Sequence, residues 1–141
     1  GKFLYAVNQI GGTVSKFTVN PLTGALSGRV DEPGVSDATI VAMHPRGKWL
    51  YVITGSASTS TIHTFTIDSV TGAVNKVGSR LPMASNPITA FYVDPGGLYV
   101  SLVTTEGLEP KPINQSTGTV AASSTLWTLT GSLPSALDFT R

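Results

Sequence analysis

No cysteine occurs anywhere in the 141 residues, so neither a disulfide nor a thiolate metal site can staple this chain, and the compartment stays open. Charge is scarce as well. Only 12% of residues are Asp, Glu, Lys or Arg, about half the usual share of about 25%. Nine basic residues against eight acidic ones leave a net charge of +1. Such a surface sets up no field strong enough to gather phosphate backbones or anionic lipid, which argues against nucleic acid and membrane as partners. No run approaches the roughly 20 apolar residues that span a bilayer. Histidine is limited to His44 and His63, and no carboxylate-rich loop of the calcium-binding type accompanies them, so no metal and no other cofactor is indicated. Helical periodicity is missing too: nowhere does it persist over the ~11 residues that an amphipathic helix requires.

Threonine (19) and serine (15) supply most of the polarity, and this uncharged composition, rich in β-branched Thr and Val, suits strands. The strands recur. "GKFLYAVN" (1–8) is echoed by "GKWLYVIT" (47–54) and by the shorter "GGLYVSL" (96–102), with Tyr5, Tyr51 and Tyr99 spaced by 46 and 48 residues. "TVSKFTVNPLTGAL" (13–26) matches "TIHTFTIDSVTGAV" (61–74), and "PINQSTGTV" (112–120) is an eroded third copy, its Gly118 aligned with Gly24 and Gly72. Two independent motifs share one period, which identifies a repeat architecture.

Each unit reads as strand, turn, strand, four times over. "HPRG" and "DPGG" place Pro where a turn needs φ near −65° and Gly where the backbone is left-handed or crowded. A repeat of about 46 to 50 residues holding four antiparallel strands has the arithmetic of a propeller blade. Counted outward from the axis, the innermost strands are "ATIVAMH" (38–44), "ITAFYVD" (88–94) and "SALDFT" (135–140), and "TLWTLT" (125–130) is an outermost one. The fold class expected is therefore an all-β propeller of four-stranded antiparallel blades, three per chain: 135–141 together with 1–34, then 35–82, then 83–134. One blade is split between the two ends, a closure device that removes open edges. Since rings are known with roughly 4 to 8 blades, three imply a partner. The reading taken is a head-to-tail homodimer closing a six-bladed ring through two heterologous contacts; the alternative is that the missing blades belong to a longer parent chain.

In "GKFLYAVN", "GKWLYVIT" and the "NPLTGAL" and "DSVTGAV" turns the sequence resembles the YVTN-type repeats of the lactonase-like propeller family, which includes 6-phosphogluconolactonase. The resemblance covers nearly the whole chain, with the third repeat degenerate between Thr104 and Lys111. It implies the propeller fold and seven blades for the family enzyme. Strand and turn signatures of this kind specify a fold better than a reaction.

Strand polarity sorts the connections into two faces. One carries the tight, similar turns "HPRGK", "DPGG", "NPLTG", "DSVTG" and "NQSTG", and reads as structural. The other carries "EPGVSD", "PMASNP", "TGSLP", "NQIGG", "TGSASTS" and "TTEGLEPKP", which differ in length and composition, and variable loops on a rigid scaffold are where binding resides. The candidate ligand-binding residues on that face are Asn8, Gln9, Asp37, Asn86, Glu106 and Lys111, with Thr54 and Ser85 beside them. Asp37 and Asn86 stand first because they precede innermost strands, nearest the channel mouth. Asp and Asn in such loops also cap their own backbone, so an Asx-turn is the competing role. His44 falls at the first position of a turn on the structural face, and His63 in a strand in register with Ser15. No Ser-His-Asp set can be assembled from them, and the catalytic residues stay unassigned. Phe3, Tyr5, Trp49, Tyr51 and Phe65 recur at equivalent strand positions and are expected to pack between blades.

Two functions follow as expectations. One is a non-catalytic scaffold or binding module that takes a small molecule or carbohydrate at the channel mouth. The other is a lactonase-like hydrolase acting on a sugar lactone, which would need a general base and a group to stabilise the developing oxyanion.

Overall fold

A computed structural model describes residues 1–56, 59–84, 88–122 and 127–128. Eleven strands make up its regular structure, and there is no helix among the described residues: β1 (Phe3–Asn8), β2 (Thr13–Val19), β3 (Leu26–Pro33), β4 (Ala38–Met43), β5 (Trp49–Ser56), β6 (Thr59–Ile67), β7 (Val74–Ala84), β8 (Ile88–Val93), β9 (Tyr99–Thr104), β10 (Gly107–Pro112) and β11 (Trp127–Thr128). They form three antiparallel sheets in sequence order, β1-β2-β3, β4-β5-β6-β7 and β8-β9-β10-β11. Within each sheet, strands adjacent in the chain pair antiparallel, and most are joined by short hairpin connections. Strand β4 lies against both β1 and β8, so the leading strands of the three sheets line up on one side. The strand expected at 135–140 lies outside the described residues, as do Ser85 and Asn86.

The hairpin turns explain why the repeat is legible in sequence. In "NPLTG", "DSVTG" and "NQSTG" one side-chain oxygen does the same job three times. Asn20 Oδ1 accepts from the N–H of Leu22 and Thr23, Asp68 Oδ1 from Val70 and Thr71, and Asn114 Oδ1 from Ser116 and Thr117. The threonine that is the second of these donors then accepts, through its hydroxyl in each copy, the N–H of the residue after the glycine. The glycine itself is left-handed, with φ of 72°, 71° and 77° at Gly24, Gly72 and Gly118, where any other L-residue is strained.

The middle sheet is covered on both faces. Leu50 and Val52 of β5 pack with Val14, Val35, Phe65 and Val74 toward the first sheet. Trp49, Tyr51 and Ile53 pack with Ile88, Phe91, Val100 and Leu102 toward the third. Successive side chains of a strand point to opposite faces, so burial on both sides requires the unbroken apolar run "WLYVI" rather than an alternation.

A lock joins each sheet to the next. The Tyr5 hydroxyl donates to the Gly72 carbonyl at 2.8 Å and the Tyr51 hydroxyl to the Gly118 carbonyl at 3.0 Å. Two residues earlier on the same strand face, an aromatic ring lies flat against the same glycine: a Cβ on Gly72 would fall 2.7 Å from the Phe3 ring, and one on Gly118 2.5 Å from the Trp49 indole. The turn glycine is thus demanded twice, by its backbone angle and by the neighbouring ring. Burial pushes both tyrosine hydroxyls up from the usual phenol range, Tyr51 further than Tyr5, because a buried phenolate would lose its hydration.

Two sequence expectations are corrected here. Tyr99 is not the counterpart of Tyr51. The His44 N–H bonds to the Trp49 carbonyl and the Asp94 N–H to the Tyr99 carbonyl, so the turn gives Tyr99 the place of Trp49, and Ser101 the place of Tyr51. The stretch "TTEGLEPKP" is not a long loop either: all but its first three residues form β10, paired from Leu108↔Val103 to Pro112↔Tyr99. Pro110 and Pro112 hid this strand, since proline cannot donate to a ladder. The Ile113 N–H bonds across to Leu98 of the β9 side. By strand parity the N–H groups of Glu109 and Lys111 turn the same way. The two prolines therefore present their missing donors to the opposite edge, beyond the two positions where β11 pairs with Gly107 and Leu108.

Candidate functional site

The end of the sheets expected to carry a site is organised by backbone more than by side chains. Gly12, in the turn between β1 and β2, accepts the N–H groups of both Gly34 and Val35 at its carbonyl. A Cβ on Gly12 would meet the Ser36 hydroxyl at 3.0 Å. Val35 plugs into the core below. The segment 34–37 is thereby pinned over the first hairpin, and it delivers Asp37 to the start of β4 with φ of 58°. Asp37 is the only described residue other than glycine with a positive φ. Asp tolerates this region better than most side chains, and residues held there cluster at functional positions. Its carboxylate is exposed, and its carbonyl accepts the Gly55 N–H.

Asn8 closes β1 at the same end. Its amide donates to the Thr13 hydroxyl at 2.8 Å and to the Ser15 hydroxyl at 2.7 Å, and Ser15 in turn donates to the Asp31 carboxylate, which pairs with Arg29 at 2.9 Å. The Arg29 guanidinium and then the Ser15 hydroxyl hold the Asp31 carboxyl below the usual carboxylate range. Thr54 ends the corresponding run of β5, and its hydroxyl lies 3.0 Å from His63 Nε2. Gln9 is exposed in the turn after Asn8, and Glu106 is exposed in the short bend between β9 and β10.

Lys111 sits elsewhere than in the loop expected for it. It lies within β10, 2% exposed, with its ammonium 3.1 Å from Glu109 and donating to the Ala122 carbonyl at 2.9 Å. A charge taken out of water must be neutralised close by, and Glu109 does so from the same strand face. Lys111 is therefore held in the sheet interior rather than displayed at the mouth of a channel. Asn86 lies outside the described residues, so the set that the structure places at one end is Asn8, Gln9, Asp37, Thr54 and Glu106.

His44 and His63 are both buried. His44 Nδ1 accepts the Arg46 N–H, which leaves Nε2 to carry the proton and to donate to the Gly97 carbonyl at 3.0 Å. Its ring meets Trp49 edge-on with centroids 4.7 Å apart. His44 is accordingly a turn residue and also a tie between the second and third sheets, a role that its neighbour in sequence, Pro45, does not suggest. His63 and Ser15 hold the same register place, His63 opposite Val52 and Ser15 opposite Ala6, so each faces away from its own following sheet. That arrangement keeps the imidazole and the hydroxyl one sheet apart, and they form no nucleophile–base pair.

The polar network Asn8–Ser15–Asp31–Arg29 was not singled out by sequence reasoning. Asp31 and Arg29 look like the alternating polar face of an edge strand, and only cross-strand register joins them to Asn8. Among the described residues no group of three or more His, Asp or Glu is placed to hold a metal ion. A cleft of about 270 Å³ opens between the first two sheets at the opposite end, lined by Lys2, Phe3, Tyr5, Met43 and Arg46 among others. A second, of about 320 Å³, lies beside Pro112, Asn114 and Ala121. Neither is lined by any of the candidate residues.

One three-stranded and two four-stranded antiparallel sheets, stacked face to face with their leading strands side by side, define the described part of the chain as β-propeller architecture. The model of the family described as lactonase, 7-bladed beta-propeller, matches residues 9–136, and the chain belongs to that family. No curated protein matches it. Among solved structures it is similar to a candidate 6-phosphogluconolactonase from Bacteroides fragilis, with 26% identity over 86% of this chain and 34% of that one, at a TM-score of 0.70. A candidate 6-phosphogluconolactonase from Bacteroides uniformis aligns with 22% identity over 96% of this chain and 39% of that one, at a TM-score of 0.77. A protein from Lactobacillus plantarum aligns with 17% identity over 86% and 37%, at a TM-score of 0.65. The chain thus spans between a third and two fifths of the length of these structures.

Proposed function

We propose that this chain is a propeller scaffold of three YVTN-type blades that binds a small polar molecule, such as a carbohydrate, at the face carrying Asn8, Asp37, Thr54 and Glu106, and that two copies complete a six-bladed ring around that site. The observation that carries the reading is the pinned left-handed Asp37. Two backbone N–H groups on one carbonyl and a buried valine hold an exposed carboxylate at the head of an innermost strand, and a rigid mount of that kind suits recognition. The buried, neutralised state of Lys111 and the separation of Ser15 from His63 favour binding over hydrolysis.

The substitution Asp37→Gly separates the two roles of this residue. Glycine accepts φ of 58° without strain, so the thermal midpoint is expected to hold or rise, by up to about 1 kcal/mol of stability less the added entropy of the unfolded chain. Sugar binding by isothermal titration is expected to weaken at least tenfold. Unchanged binding in a folded Asp37→Gly protein would remove the carboxylate from the site.

A second reading, a lactonase-like hydrolase acting on a sugar lactone, is favoured by family membership and by the names of the two Bacteroides structures. In that case the missing blades belong to a longer parent chain, in keeping with the fraction of those structures that this chain covers. Proton release in a pH-stat over a panel of sugar lactones distinguishes the two. Turnover that disappears in Asp37→Asn favours the enzyme, and a flat trace across the panel favours the scaffold.

A further inference from the structure

Strands β4 and β8 break their ladders at the same place. In the β4–β5 pairing the register steps between Ala38 and Ile40, and in the β8–β9 pairing between Ile88 and Ala90, so Thr39 and Thr89 are each the extra residue of a bulge. A bulge re-aims a side chain, which is why bulges gather beside binding sites. Both threonines are exposed, although Ala38 and Ile88 just before them are buried. Strand β4 belongs to the sheet that is covered on both faces, so Thr39 meets solvent along the free edge and head of its strand rather than across an open face. Strand β8 lies against β4, which brings the two bulges to neighbouring places, and Asp37 precedes Thr39 by two residues.

Hydrogen bonding fixes the polarity of this group. The Thr39 hydroxyl donates to the Ile53 carbonyl at 3.4 Å, and the Thr89 hydroxyl to the Val103 carbonyl at 3.2 Å. A threonine hydroxyl has one proton and two lone pairs. Here the proton is held within the sheet, and only acceptor capacity is left for a ligand. The ionised Asp37 carboxylate accepts only, too. The described cations at this end are engaged elsewhere: Arg29 pairs with Asp31, and the Lys76 ammonium donates to the Gly34 carbonyl.

We infer that Asp37, Thr39 and Thr89 select a protonated amine, so that the ligand class of this face is an amino sugar rather than a neutral or a phosphorylated one. An ammonium carries three donors and no acceptor, the complement of two hydroxyl oxygens and a carboxylate, and its bonds to a carboxylate are roughly twice as strong as neutral ones. A phosphate would meet like charge at Asp37. This inference rests on the sugar-binding reading proposed above and names the class of sugar. It draws only on β4, β8 and the residue that leads into β4, however the rest of the ring is completed.

Isothermal titration of the intact chain with glucosamine, N-acetylglucosamine and glucose 6-phosphate, at a pH where the glucosamine amine is protonated, tests it. Glucosamine is expected to bind at least about tenfold more tightly than N-acetylglucosamine, as loss of a charge-assisted contact implies, and glucose 6-phosphate most weakly. Thr39→Val and Thr89→Val should each reduce the preference for glucosamine about threefold to tenfold, the worth of one hydrogen bond, and Thr39→Ser should keep it. The ratio of the two affinities is the readout, because a variant that is merely less stable lowers both together. Equal affinity for the two amino sugars, with both lost in Asp37→Gly, overturns this inference and leaves the sugar site standing. A preference for glucosamine that ignores both valine variants overturns the role of the bulges and with it the inference. Tightest binding of glucose 6-phosphate overturns it in favour of an anionic sugar, and no binding of any of the three overturns both the inference and the sugar-binding reading.

Discussion

Leu4 and Leu50 occupy one position of one repeat, yet the first is 41% exposed and the second 1%. Their strands are nearly the same, "KFLYAV" and "KWLYVI", and each leucine faces backwards, toward the sheet that would precede its own. For Leu50 that sheet is present. The local sequence writes the same side chain into both places, and only the neighbour decides whether it belongs to a core. The open side of the first sheet accordingly mixes the polar Ser15, Asp31 and Arg29 with exposed Leu4 and Leu26, whereas the side that meets the second sheet is apolar, with Val14, Tyr5 and Val7.

The largest effect is expected from truncating the two leucines. Leu50→Ala should destabilise the chain by about 2–5 kcal/mol, since the cavity opens within packed neighbours, and Leu4→Ala by well under half as much. Urea unfolding of both variants measures this. A Leu4→Ala loss equal to that of Leu50→Ala would mean that the first sheet is covered in solution, and the comparison would turn into evidence for the second copy.

A smaller difference should separate the tyrosines. Tyr51→Phe strips the donor from a buried Gly118 carbonyl and is expected to destabilise by about 1–3 kcal/mol. Tyr5→Phe acts on the more open Gly72 joint, where water can replace the hydroxyl, and about 0.5–1 kcal/mol is expected there. Thermal or urea midpoints for the pair would sharpen the contrast between a closed and an open joint. Equal losses would show that the first joint is as dry as the second.

The smallest effect concerns the turns that the repeats share. The Thr71 and Val70 N–H groups, with the Thr71 hydroxyl, hold the Asp68 carboxyl below its usual range. A group with a depressed folded pKa contributes its stability above the unfolded value, about 3.9 for Asp, and loses it as pH falls through the folded one. Asn20 and Asn114 do the same work without titrating. Asp68→Asn is therefore expected to leave stability at pH 7 nearly unchanged and to flatten its decline below pH 4. An undiminished acid slope, read from urea midpoints at pH 3 and pH 7, would assign that slope to other carboxylates such as Asp31, which is also held low.

The repeat period, the Thr-Gly turns and the innermost strands at 38–44 and 88–94 were legible because each rests on local chemistry: an Asx oxygen capping two N–H groups, a left-handed glycine, a run of apolar and β-branched residues. The register place of His63 beside Ser15 was legible for the same reason, since the alternation of a hairpin carries it. Misread places share a different cause. Tyr99 looked like Tyr51 because "LYV" occurs in both strands, but the hydrogen bond from Asp94 to Tyr99 sets the register, and no residue in "LYV" reports it. Strand β10 was concealed by two prolines whose harmlessness depends on which edge they face. At the candidate site, Asp37 and Asn8 were visible as polar residues beside strand ends. The joining of segment 34–37 to Gly12 was not, because it depends on two loops from different hairpins meeting.

By itself, then, the sequence determined that this chain is β, that it repeats, where its turns fall and which residues they require, because those features depend on neighbours within a few residues. Tertiary structure alone decided which leucine is core, which lysine is buried against a glutamate, and which glycine holds a ring and which stands open. Those outcomes are set by the sheet on the other side, and strands that are near copies of one another carry no local mark of whether that sheet is there.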